Sequence, residues 1–149
     1  QFTAGLLHDI GKVVFAEMWK ENYVKLLDAT SASPHELVRA EEESFRINHG
    51  ELGGRLLAFW KFPPTIAACV WHHPAPVAGM PYVRETACLT LAECIADNTT
   101  LTAEAKLPLS PGQEAALRVF DFTADDLRIY TARTLENFAF VNAMCQMRN

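Results

Sequence analysis

The sequence lacks any apolar run approaching the ~18 residues that a helical membrane span needs, and its start has neither the basic flank nor the cleavage pattern of an export signal. A membrane-spanning or exported chain is therefore not expected. Paired C-x-x-C cysteines are also missing: Cys69, Cys88, Cys94 and Cys145 stand singly in apolar helical contexts, which reads as reduced core residues in a cytoplasmic protein. There is no basic stripe either. The 13 Lys and Arg residues are scattered against 18 Asp and Glu, giving a net charge of −5, so direct binding of nucleic acid through charge is not expected. Strand signals are absent, and so is an initiator Met. Gln1-Phe2-Thr3-Ala4-Gly5-Leu6-Leu7 already reads as the inside of an amphipathic segment, as in a piece of something longer.

What is present is a soluble globular composition: 149 residues, 50% hydrophobic and 21% charged, enough for one core without disulfide or metal staples. Helix-start signals recur along it. Ser33-Pro34-His35-Glu36 places a hydroxyl at an N-cap, Pro at the first helical position and Glu three residues after the cap, predicting a helix to about Ile47. Within it, Glu41-Glu42-Glu43 reads as a solvated helix face. Asn48-His49-Gly50-Glu51 repeats the capping logic ahead of Leu52, Leu56, Leu57 and Trp60, predicting a helix over roughly 49–61. Pro63-Pro64 opens another that runs into His72-His73, and the proline-rich stretch 74–81 ends it as a loop. From about Tyr82 to Asn98 the pattern is apolar nearly all round, as in a central buried helix. Ser110-Pro111-Gly112-Gln113 and Thr123-Ala124-Asp125-Asp126 cap two further helices. Phe138, Phe140 and Met144 in the last of these read as core, with a partner surface as the other reading. The class is all-α.

Chemistry concentrates at a few positions. His8 and Asp9 sit side by side in the apolar segment Gly5-Leu6-Leu7-His8-Asp9-Ile10-Gly11-Lys12, where an unpaired charge costs several kcal/mol unless something compensates it. A divalent cation would do so, since imidazole and carboxylate are both ligands for first-row metals. Read as one helix, the segment puts Lys12 one turn beyond His8, where its ammonium could meet a phosphate oxygen. His49 stands at one helix start, His72 and His73 at the end of the next, and Asp97 near the end of the central helix. Each has a plain local explanation: a buried His–Asp hydrogen bond with Lys12 in solvent, a favourable first-turn His49, or a histidine pair complementing a helix C-terminus. Taken together they predict one cavity faced by the side chains of His8, Asp9, His49, His72, His73 and Asp97, suited to clamping a phosphate.

The ordered set His8-Asp9, Lys12, His49, His72-His73 and Asp97 resembles the HD superfamily of metal-dependent phosphohydrolases. Gly5 to Lys12, His49-Gly50-Glu51-Leu52-Gly53, Leu56-Leu57-Ala58-Phe59-Trp60-Lys61-Phe62-Pro63 and His72-His73-Pro74 are similar to its HDOD branch, over about residues 2–98. The resemblance implies an HD-type helical bundle and a single domain over 1–149. In it this chain would be the C-terminal part of an HDOD domain whose N-terminal helices are missing. It makes His8, Asp9, His49, His72, His73 and Asp97 ligands of a divalent metal (Fe, Mn, Mg or Zn), and Asp9 and Lys12 the catalytic residues of any hydrolysis. The related HD-GYP phosphodiesterases follow their His pair with Gly-Tyr-Pro, whereas this chain reads His72-His73-Pro74-Ala75-Pro76, so cyclic di-GMP hydrolysis loses support. Those enzymes also draw a further His from an earlier helix, upstream of Gln1.

HDOD members are regarded as bacterial signalling or regulatory modules whose hydrolase activity is often unproven or absent. The leading expectation is accordingly a regulatory module whose partners are signalling proteins or a fused sensory or output domain. The alternatives are an active phosphohydrolase with a nucleotide or cyclic dinucleotide ligand, and a plain helical interaction domain without metal.

Overall fold

The computed structural model describes residues 2–31, 34–98 and 109–146, apart from the side chains at 34, 35, 141, 145 and 146. The expected Ser33 cap and the side chains of His35 and Cys145 lie outside the described residues. Among those described, every regular element is an α-helix: α1 (Phe2–Leu7), α2 (Ile10–Thr30), α3 (Pro34–Phe45), α4 (His49–Phe59), α5 (Pro64–His72), α6 (Val83–Asn98), α7 (Pro111–Phe120) and α8 (Ala124–Gln146). None is long and apolar enough to cross a membrane.

The capping residues act as their spacing requires. Asn48 Oδ1 accepts from the Glu51 amide at 2.9 Å and starts α4. Ser110 and Gln113 satisfy each other's backbone N–H groups at 3.1 and 3.0 Å and start α7. Thr123 and Asp126 do the same ahead of α8. Pro64 occupies the first position of α5, where its missing N–H leaves no helical bond unmade.

One element departs from expectation. Gly5 to Lys12 is not a continuous helix: α1 stops at Leu7, His8 and Asp9 form a turn, and α2 begins at Ile10. The turn frees both side chains from a helix surface. α2 is itself broken at Lys20, whose φ of 36° and ψ of −111° are non-helical.

Two apolar clusters form the core. Ala4, Leu57, Ala67, Cys69, Val70 and Leu89 make the first; Ala87, Leu91, Cys94, Ala116, Leu117 and Leu127 make the second. α6 contributes to both, which is why its pattern is apolar on nearly every side. Two glycines set close helix approaches. A Cβ at Gly11 would run into the His49 carbonyl, and one at Gly112 into the Pro74 carbonyl, so α2 reaches the start of α4 and α7 reaches the end of α5 only through bare backbone. Phe138, Phe140 and Met144 are exposed, which corrects the core reading: every described side chain of α8 from Leu135 to Met144 is exposed, whichever way it points.

Candidate metal centre

The α1–α2 turn supplies the first two groups. The His8 Nδ1–H donates to the Gly5 carbonyl at 2.7 Å, because a carbonyl can only accept. Asp9 is gripped by Lys12, whose Nζ lies 2.9 Å from each carboxylate oxygen and makes its hydrogen bond to Oδ2. Burial alone would push the Asp9 carboxyl up, but the Lys12 charge and hydrogen bond, with the neighbouring His8 and His49 imidazoles, outweigh it and hold the group below its ordinary value. Asp9 Oδ1 is nevertheless buried without a hydrogen bond.

His73 comes from the end of α5. Its Nδ1–H donates to the Val70 carbonyl at 2.7 Å, and its own carbonyl accepts from Thr90 Oγ1 at 2.7 Å, which ties the end of α5 to α6. Burial, reinforced by the adjacent His49, lowers the His73 pKa to about 3, so the ring is neutral. Its proton sits on Nδ1, and the Nε2 lone pair is buried with no hydrogen-bond partner. His49, the first residue of α4, donates from Nδ1 to Glu41 Oε2 at 2.7 Å and turns Nε2 toward Asp9 Oδ1, 3.7 Å away.

Glu93 on α6 faces these rings. Its Oε1 lies 3.9 Å from His8 Nε2 and its Oε2 3.8 Å from His73 Nε2, and burial raises its pKa. His8 Nε2 is 3.5 Å from Asp9 Oδ2. These gaps are too long for hydrogen bonds and near the ~3–3.5 Å that separates neighbouring ligands of one ion when each stands about 2.1 Å from it. One ligand atom from each of His8, Asp9, His73 and Glu93 lies within 4.8 Å of the others, a donor set that could hold a metal ion.

Each imidazole is thus fixed through Nδ1 and presents Nε2, the arrangement by which an outer partner orients a ligating histidine. His73 Nε2 and Asp9 Oδ1, both buried without a hydrogen bond and the latter facing only the Lys12 charge, are what a cation would satisfy, so the residues present fit one. A cavity of about 660 Å³ adjoins the cluster, lined also by Lys12, Arg39, Thr90 and the start of α7.

Of the six expected ligands, His8, Asp9, His49, His73 and Asp97 line this cavity and His72 does not. Successive helical residues diverge by about 100°, so with His73 turned inward the His72 ring stacks on Trp71, centroids 5.7 Å apart. Burial lowers the His72 pKa against the opposing charge of Glu51. Asp97 lies one turn beyond Glu93, more exposed, and outside the cluster of four. The α6 carboxylate in that cluster is Glu93, which the sequence reading passed over. Its signal was a carboxylate between Leu91, Cys94 and Ile95 in a helix buried nearly all round. Glu41 was also misread: it is fully buried, not part of a solvated face. Leu37, Glu41 and Phe45 share one side of α3 at four-residue spacing, and that alignment was the available signal.

Residues 1–76, half of the chain, match the model of the HDOD domain family. The chain belongs to the HDOD domain family. An uncharacterized protein of Treponema pallidum (strain Nichols) is similar to this HDOD chain, 27% identical over an alignment 140 residues long that covers 91% of this chain and 26% of the relative. The HDOD chain therefore spans about a quarter of that relative's length. No solved structure matches it.

Proposed function

We propose that this chain is an HDOD-type signal-transduction module, cytoplasmic and regulatory, whose polar cluster binds a divalent cation. The observation that carries the reading is the neutral His73 ring, whose Nε2 is buried and unpartnered beside Asp9 and Glu93. His8, Asp9, His73 and Glu93 would hold the ion, and His49, whose Nε2 lies 3.7 Å from Asp9 Oδ1, would join them as a further ligand. The ion when bound would supply Lewis acidity toward a phosphate oxygen. The chain's own residues do the rest: Lys12 keeps Asp9 ionised, Gly5 and Val70 fix two of the rings, and the Thr90 bond keeps His73 against α6. Ligation at the meeting point of α1, α2, α5 and α6 is a means of coupling a bound ion to helix packing, and through it to signalling proteins or a fused sensory or output domain. The related Treponema protein is about three and a half times as long as this chain, which leaves room in it for such a domain.

The test is elemental analysis of the chain purified without chelator or affinity-tag histidines, beside Asp9→Ala. Bound divalent metal in the parent and its loss in Asp9→Ala are expected; equal, negligible metal in both would overturn the reading.

A second reading, an active phosphohydrolase on a nucleotide, is favoured by Lys12 and Arg39 lining the cavity beside the cluster, where they offer positive charge to a phosphate. It requires that turnover of a phosphodiester such as bis(p-nitrophenyl) phosphate be lost in Lys12→Ala while the fold and bound metal persist. Turnover that survives Lys12→Ala would remove it.

A further inference from the structure

His8 and His73 are held by carbonyls three residues earlier in their own segments, at Gly5 and Val70. His49 cannot be held that way. It is the first residue of α4, so no helical turn precedes it to offer a carbonyl. Its Nδ1–H goes instead to Glu41 of α3, at 2.7 Å, and the same carboxylate oxygen accepts the His49 backbone N–H at 2.8 Å. The other oxygen of Glu41 accepts from the Tyr23 hydroxyl at 2.6 Å. Glu41 and Tyr23 are both fully buried, and Tyr23 packs against the rings of Phe15 and Phe45. A carboxylate without solvent is costly unless its lone pairs are filled; here three donors fill them, and two belong to His49.

We propose that Glu41, anchored by Tyr23, is the positioning residue of the candidate cation site: it fixes the His49 ring with the proton on Nδ1, so that Nε2 faces Asp9. This rests on the cation-site reading. Two bonds from one oxygen to one residue fix both where α4 begins and how the ring is turned. The carboxylate also carries a full charge, which a backbone carbonyl lacks, and so makes the opposite ring nitrogen a better donor to a cation. A plain structural role, pinning α2, α3 and α4 together, would need neither the ring nor its tautomer.

The experiment measures Mn²⁺ affinity by calorimetry for the full chain, Glu41→Gln, His49→Ala and the double variant, and reads the His49 tautomer by ¹⁵N NMR in the metal-free parent. Gln keeps the size and can still accept from His49 but removes the charge. The expected results are Nδ1–H on His49, about 10–100-fold weaker Mn²⁺ binding in Glu41→Gln, and less than a twofold effect of the same change once His49 is Ala. Nε2–H on His49 overturns the proposal, and this readout stands even if Glu41→Gln fails to fold. Mn²⁺ binding unchanged in Glu41→Gln, or weakened equally in the His49→Ala background, overturns it while leaving the cation site standing. A parent that binds no Mn²⁺ overturns the cation-site reading and this proposal with it.

Discussion

Gly11 and Gly5 lie six residues apart and differ completely in what surrounds them. At Gly11 a Cβ would run into the backbone of His49, while at Gly5 it would meet nothing within 4 Å. Gly11→Ala must therefore push α2 off the start of α4, at a cost of about 3 kcal/mol. Gly5→Ala adds a better helix former to open space and should gain up to about 1 kcal/mol. Urea midpoints at constant m-value check both, and a Gly11→Ala midpoint equal to that of the parent would contradict the packing. This contrast bears on what could be read at the scale of single residues. His8 and Asp9 were legible because an apolar segment there makes burial demand a partner, and His49 and His73 because they stand at helix ends, where imidazoles can converge. His72 was not separable from His73, because adjacency in sequence says nothing about which of two diverging side chains turns inward. Glu93 and Glu41 were missed because a carboxylate on a helix is ordinarily solvated, and only tertiary packing buries Glu41 and partly covers Glu93.

Helix starts were legible wherever a side chain caps the backbone locally, since such bonds need no tertiary partner. Asn48 is the most consequential, because the helix it starts opens with His49. Its Oδ1 takes the Glu51 amide at 2.9 Å, and its Nδ2 donates to Glu42 at 2.6 Å, though the latter bond is exposed. Asn48→Ala should cost about 1 kcal/mol through the lost cap, and Asn48→Ser, which keeps an acceptor, should recover most of it. Thermal unfolding followed by circular dichroism distinguishes the two; equal losses would show that the cap is not what holds α4. The break between α1 and α2 was not legible on the same grounds. His8-Asp9-Ile10-Gly11 contains no proline, and beside the local Lys12 grip on Asp9 the turn is set by the approach of Gly11 to His49, a residue distant in sequence. The Lys20 break likewise has no breaker residue, and nothing in the structure explains it.

For the molecule as a whole, the all-α class followed from helix-start signals recurring without strand signals, but which faces meet did not, because a face pattern names no partner. Among the described residues, α6 is the one helix with side chains in both apolar clusters, Leu89 in one and Ala87, Leu91 and Cys94 in the other. That bridge carries a consequence for cooperativity. Trp60 and Trp71 belong to the end of α4 and to α5, two helices of the first cluster, and Trp19 of α2 packs on Phe15 and Phe45; none of the three is in the second cluster. Leu117 of α7 lies in the second, 6% exposed. If α6 transmits packing between them, Leu117→Ala should lower stability by about 2–5 kcal/mol and shift the tryptophan fluorescence midpoint in urea by as much as the far-ultraviolet dichroism midpoint, although no tryptophan is in the cluster that was changed. A helical signal that melts early while the fluorescence midpoint stays at its parent value would mean that the clusters unfold separately and that α6 does not join them into one cooperative unit.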